Sequence, residues 1–215
     1  MKVRKCNITI KSNENELVFK NTADGFPAGS EYVWQKLGYE KCSICSLSET
    51  DHSFCPAAFE MTGIVEVFSD VYSYERVLIS LSFDEFDMSY SADAQTVCAD
   101  LLTHIIVHSN CPVFTKYQPF AQSSYLFREL NDVFMQFIIG FVMHRVATVG
   151  ELPDKDRISE ELAIIGEVIA KLKKRVASCI IKDANLNALV KFMQMHLIVE
   201  DNLDEYLGEL KDRLS

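Results

Sequence analysis

The sequence predicts an α+β fold: a small antiparallel sheet of two hairpins packed against a mainly helical bundle. Three observations predict it. Apolar residues alternate with polar ones in two early stretches, each interrupted by turn residues. From about residue 92 onward the apolar spacing lengthens to three and four, the period of a helix with one buried face. Sheet signals therefore come first and helical signals follow, the order expected of segregated layers. The 215 residues, 48% of them apolar, suit one domain over 1–215, with hairpins and a cysteine-rich segment in 1–92 and a helical bundle in 93–215.

The first hairpin spans 3–19. Cys6, Ile8 and Ile10 fall on one face, Asn7, Thr9 and Lys11 on the other, "SNEN" turns the chain, and Leu17 and Phe19 resume the alternation. "DGFPAG" at 24–29 reads as a loop. A short helix is expected over 56–69 with Phe59, Gly63, Val67 and neighbours inward. The second hairpin covers 76–90, with Val77, Ile79, Leu81 and Phe83 alternating with Leu78, Ser80 and Ser82 around a turn at Asp84 and Glu85. Residues 92–109 form a helix with Val97, Leu101, Ile105 and His108 on one stripe. The stretch 123–147 becomes apolar nearly all round towards its end, as a central buried helix would. After "GELPDKD", Ile158, Leu162, Ile165, Ile169, Leu172 and Val176 recur at alternating spacings of four and three, marking a long amphipathic helix along a partner. Leu186, Leu189, Val190, Met193 and Leu197 mark another, and "DNLDEYLGELKDRL" closes the chain as an acidic, partly exposed helix. The 4-3 pattern fits an intramolecular bundle and equally a homodimer or another protein partner.

Composition narrows the function classes. The formal charge of −10 disfavours nucleic acid, because phosphate contacts need clustered Lys and Arg. The one basic run, "KLKKR" at 171–175, reads as a solvated helix face. The longest apolar stretch, "FIIGFVM", is far shorter than the ~20 residues of a membrane span. "MKVRKCNITIK" lacks the apolar core of a signal peptide, which points to a cytoplasmic protein. No P-loop, dinucleotide fingerprint, G-x-S-x-G or H-E-x-x-H is present.

The chemistry-bearing feature is the cysteines. Three of the seven crowd into fourteen residues. In a reducing compartment such crowding suggests ligation rather than disulfides, and the odd count leaves at least one thiol free or ligated. Cys42 and Cys45 form a C-x-x-C knuckle, which lets two sulfurs approach one metal from a tight turn. Cys55 precedes Pro56 and Cys111 precedes Pro112. Proline is favoured at the first helical position, so each of these cysteines is expected at a helix start. There its sulfur faces free N–H groups, and its pKa is expected to fall. Cys42, Cys45, Cys55 and Cys111 could thus complete a tetrahedral site. Zinc in a structural role is the first choice, and an iron–sulfur cluster uses the same ligands. Cys6, Cys98 and Cys179 fall on strand or helix patterns and read as core filling.

Two further polar signals stand beside it. His104 and His108 are four apart on a helix and could chelate a metal, though an apolar-stripe histidine is more often a satisfied boundary residue. His52, in the loop before Cys55, is a possible substitute ligand should Cys111 lie too far away. In "KDANLNALV", Asp183 and Asn187 lie near one helical face while Asn185 projects elsewhere. Capping and helix pairing are the favoured reading of Asp183. The functional alternative is an enzyme pocket in the bundle near Asp183 and Asn187.

The run "YVWQKLGYEKCSICSLSETDHSFCPAAFEMTGIVEVFSDVYSYERV", then "HSNCPVF", "QPFA" and "DANLNALV", resembles a bacterial family of unknown function. That family's pattern is C-x-x-C-P-L, C-P-A, a strand with an E-R pair, S-G-C-P, and D-A-x-x-N-A-L. The resemblance covers about residues 32 to 200. It implies that Cys42, Cys45, Cys55 and Cys111 occupy the family's cysteine positions, and it implies no activity. The chain departs at Ser46 and Asn110, where the family has proline and glycine, and "SYLF" at 124–127 puts Ser124 where the family has a histidine. The expectation is therefore a binding or scaffold protein with a structural metal site. The rival readings are a thiol redox sensor using Cys55 or Cys111 and the bundle-pocket enzyme.

Overall fold

In the computed structural model, residues 6–12, 15–21, 32–82, 87–120 and 130–214 are described. They form an α+β fold. Strands β1 (Cys6–Ser12) and β2 (Asn15–Asn21) make the first hairpin. Two short helices follow, α1 (Pro56–Glu60) and α2 (Thr62–Phe68). The second hairpin is β3 (Arg76–Ser82) with β4 (Asp87–Asp93). The bundle then runs α3 (Ala94–His108), α4 (Leu130–Val149), α5 (Lys155–Ala177), α6 (Ala184–Asp201) and α7 (Leu203–Leu214). The sheet is antiparallel throughout, in the order β2-β1-β3-β4. Its register sets Ile10 opposite Ile79 and Ile79 opposite Tyr90.

The two-residue alternation on β3 works as the sequence suggests: Val77 and Ile79 are buried, Leu78 is exposed. The turn at 84–85, the "SNEN" turn in part, the "DGFPAG" loop and the "SYLF" segment lie outside the described residues.

Three expectations need correction. The helix over 56–69 is two helices, meeting at Met61. The Thr62 hydroxyl donates to the Ala58 carbonyl (3.1 Å), a back-bond of the kind that bends a helix, and it also accepts from Gln35 (2.7 Å). Gly63 is buried as expected, Phe59 and Val67 are half-buried, and the most buried face is made by Ala57, Ala58, Met61, Ile64, Val65 and Phe68.

The central helix is α3, not α4. Eleven of the fifteen α3 residues are buried, and α3 touches α1, α2, α6 and both β3 and β4. Asp93 starts it by accepting the Thr96 N–H (3.0 Å). From its midpoint onward α4 leaves Ile139, Met143, Val146 and Val149 exposed. Uniform apolarity there marks an uncovered helix face, a distinction that periodicity alone does not make.

The third correction concerns "KLKKR". Arg175 is not solvated; it is 1% exposed and ranks among the largest fully buried side chains. Its neighbours on the apolar stripe of α5, Ile158, Leu162, Ile165, Ile169, Leu172 and Val176, are all buried as the 4-3 spacing predicts. Among the described residues, no helix is long and apolar enough to cross a membrane.

Candidate metal centre

The cysteine-bearing segment begins at a 3-10 turn, Val33–Gln35. Trp34 and Leu37 plug it into the core. Gln35 is fully buried; its Oε1 accepts the Tyr32 N–H (2.8 Å) and its Nε2 donates to Thr62. Lys36 and Phe54 then form a β-bridge. Leu37 N–H donates to the Ser53 carbonyl (3.0 Å), and Cys55 N–H to that of Gln35 (2.8 Å). These bonds tie both ends of the intervening loop together, so the knuckle and Cys55 leave from one base.

Helix α5 holds that loop from the side. Arg175 donates to three carbonyls at its start, those of Trp34 (2.6 Å), Lys36 (2.8 Å) and Leu37 (3.2 Å). One turn earlier, Lys171 pairs with Glu40 (3.2 Å), whose backbone sits at φ 46°, left-handed and unusual for a side-chain-bearing residue. One turn earlier again, the Glu167 carboxylate accepts both the N–H (2.6 Å) and the hydroxyl (3.0 Å) of Ser43. Positions 167, 171 and 175 are four apart on one face, so α5 grips 34–37, 40 and 43 in antiparallel order. Sequence reading missed this ladder. Its signal was present as a second, polar four-residue spacing beside the apolar stripe of α5.

Between the two knuckle cysteines, Cys45 N–H donates to the Cys42 carbonyl (3.2 Å), closing the turn. Cys55 occupies the position before α1, with Pro56 at the helix start as the Cys-Pro reasoning predicts. Its sulfur makes no capping hydrogen bond. Cys111 starts a turn rather than an α-helix; its carbonyl accepts from Phe114 N–H (2.9 Å), Thr115 N–H (3.0 Å) and the Thr115 hydroxyl (2.8 Å). The chain then enters a 3-10 segment, Thr115–Phe120.

The four thiols share one neighbourhood. Burial pushes the Cys42 thiol up to about 12, and charge on Cys55, Cys111 and Cys45 adds to the rise, followed by Glu167. Burial likewise pushes Cys111 up to about 11; the N–H groups of Val113 and Phe114 face its sulfur and oppose the rise, while Cys55 and Cys45 reinforce it. The expected lowering at Cys111 therefore does not occur. The N–H groups are in place, but desolvation outweighs them. Cys42, Cys45 and Cys55 are half-buried, Cys111 is buried, and the six cysteines with described side chains are all free thiols. Among the described residues, no set of three or more Cys, His, Asp or Glu side chains is drawn together as a metal's ligand shell.

The other signals resolve into structure. Cys98 donates to Asn185 Oδ1 (3.3 Å) and Cys179 to the Val176 carbonyl (3.2 Å). His52 is exposed. His108 Nδ1 lies 2.8 Å from the His104 carbonyl, an acceptor, so that nitrogen carries the proton. The two ring centroids lie 4.2 Å apart with the planes tilted by 36°, and burial, then His108, drives His104 down to about 3, so it stays neutral. Asp183 accepts from Ser73 N–H (2.8 Å), Ser73 hydroxyl (3.0 Å) and Asn187 Nδ2 (2.9 Å). Asn185, fully buried, donates to the Val65 carbonyl (2.9 Å). The "DANLN" run thus joins the start of α6 to α2 itself and to the segment after it.

A family model described as a domain of unknown function, DUF6901, matches residues 4–215. The chain belongs to this family. An uncharacterised family is what the motif resemblance implies, and the matched family is one of unknown function. No curated protein and no solved structure matches it.

Proposed function

We propose that this member of the DUF6901 family is a metal-binding protein whose knuckle, Cys42 and Cys45, joins Cys55 and Cys111 around one structural zinc ion, in a binding or scaffold role. The observation that carries the reading is electrostatic: after burial, charge on Cys55, Cys111 and Cys45 helps to push the Cys42 thiol up, and charge on Cys55 and Cys45 does the same at Cys111, so sulfurs far apart in sequence lie near one another. Like charges gathered at one point oppose ionisation, and a divalent cation reverses that opposition by ligating the thiolates. The donor set is all sulfur, which suits zinc in a closed tetrahedral site; such a site leaves no open position for catalysis. Ligation requires the sulfurs to close up around the ion, and the half-buried knuckle is the part with room to do so.

Elemental analysis of protein purified without a metal-affinity tag tests this. About one zinc per chain is expected, falling when any of the four cysteines becomes serine. A fully folded, metal-free product that takes up no added zinc defeats it.

A further inference from the structure

The four-cysteine reading leaves open what controls the closing of the site. Its two halves are held differently. Cys111 is buried, and Cys55 is fixed through its backbone to the core residue Gln35. The knuckle lies further out, and Ser43 between its two cysteines is exposed. Ser43 is where α5 takes hold of the knuckle, through two hydrogen bonds to one carboxylate, 124 residues away in sequence. Glu167 also stands near enough to Cys42 for its charge to be felt there.

We propose that Glu167 is the latch of the site: by holding Ser43 through two hydrogen bonds it docks the knuckle against Cys55 and Cys111, and so sets how fast a bound metal leaves. This rests on the four-cysteine reading. Two effects of Glu167 compete. Docking favours retention, because an undocked knuckle must be reordered each time the site closes. Negative charge beside four thiolates favours loss, because like charges repel. Ser43 is exposed and Glu167 half-buried at the surface, so solvent and salt still weaken the charge effect, whereas the two hydrogen bonds to a carboxylate are direct and directional. Docking should win. Glu167 is a positioning residue and touches no metal.

The test uses full-length protein loaded with one equivalent of zinc and mixed with excess chromogenic chelator, following transfer over time. Glu167→Ala should release zinc about five- to tenfold faster than wild type, the effect of losing about one net charge-assisted bond. Glu167→Gln, which keeps an acceptor oxygen, should fall between them. Ser43→Ala, which keeps the N–H, should do the same. Thermal unfolding of the metal-free Glu167→Ala protein should fall by only about 2–4 °C, the loss of one such contact, and a much larger fall overturns the latch in favour of a general support. Equal release from Glu167→Ala and wild type overturns the proposal, and slower release overturns it by showing that charge dominates. Wild-type protein that takes up no zinc is a different result, and it removes the four-cysteine reading itself.

Discussion

Replacing Arg175 by methionine removes the buried guanidinium that ties α5 to the base of the cysteine loop. Hydrogen bonds from a charged donor contribute ~1.5–3 kcal/mol each, and Arg175 makes three. Their simple sum overstates the effect, because burying the guanidinium costs several kcal/mol that the substitution recovers. Against that, methionine leaves three carbonyls without their donor in a site that water does not freely reach. A buried carbonyl left without its donor costs about 1–3 kcal/mol, so three of them, less the recovered desolvation, give an expected loss of about 3–5 kcal/mol. For a chain of this size it lowers the unfolding midpoint by about 10 °C. Arg175→Lys should recover only part of the loss, since one ammonium cannot match a planar fork aimed at separate carbonyls. Lys174→Met, in the same basic run, should change stability by no more than ~0.5 kcal/mol, because Lys174 is exposed and only 4.0 Å from Glu40. The assay is urea unfolding followed by fluorescence of Trp34, the chain's single tryptophan, buried where Arg175 docks. A loss of less than about 1 kcal/mol for Arg175→Met would refute the reasoning, since it would mean the three carbonyls find other donors at no cost.

Three further outcomes are expected. The Ser73 backbone N–H, then its hydroxyl, holds the Asp183 carboxyl below its ordinary value. Its contribution is therefore present above about pH 4 and lost as pH falls through the lowered value, so Asp183→Asn should flatten the acid limb of a stability–pH curve measured from pH 6 to 2. Asn185→Leu strands the Val65 carbonyl and the Cys98 thiol in the core and should cost ~2–3 kcal/mol in the same unfolding assay, well above a surface change. Met143→Lys on the exposed face of α4 should stay within ~0.5 kcal/mol of wild type; a large loss would mean that this face is covered in solution.

The α+β class and most elements were legible because they rest on periodicity, which sequence displays directly. The two hairpins, the α5 stripe and the helix start at Pro56 follow from spacing and from proline's missing N–H. What stayed hidden depends on neighbours distant in the chain. Nothing local in "KLKKR" says that its last residue meets carbonyls about 140 positions earlier. Nothing in the apolar end of α4 says that its outer face is exposed among the described residues. The Thr62 bend needed Gln35 as well as Ala58, and only one of these is close in sequence. At the candidate site, the grouping of the cysteines could be posed from their spacing, but the thiol acidity could not. A helix start and a desolvated pocket push a sulfur in opposite directions, and their balance at Cys111 is a matter of burial.

The α5 ladder also has a consequence for biosynthesis. Its rungs at 167, 171 and 175 leave the ribosome more than a hundred residues after the loop they secure. During that interval the thiols at 42, 45 and 55 are tethered to an incomplete protein, open to oxidants and to any scavenging cation. A fragment ending before Lys155 should therefore lack a settled environment for its tryptophan and digest readily within residues 38–52, whereas the intact chain should resist cleavage there.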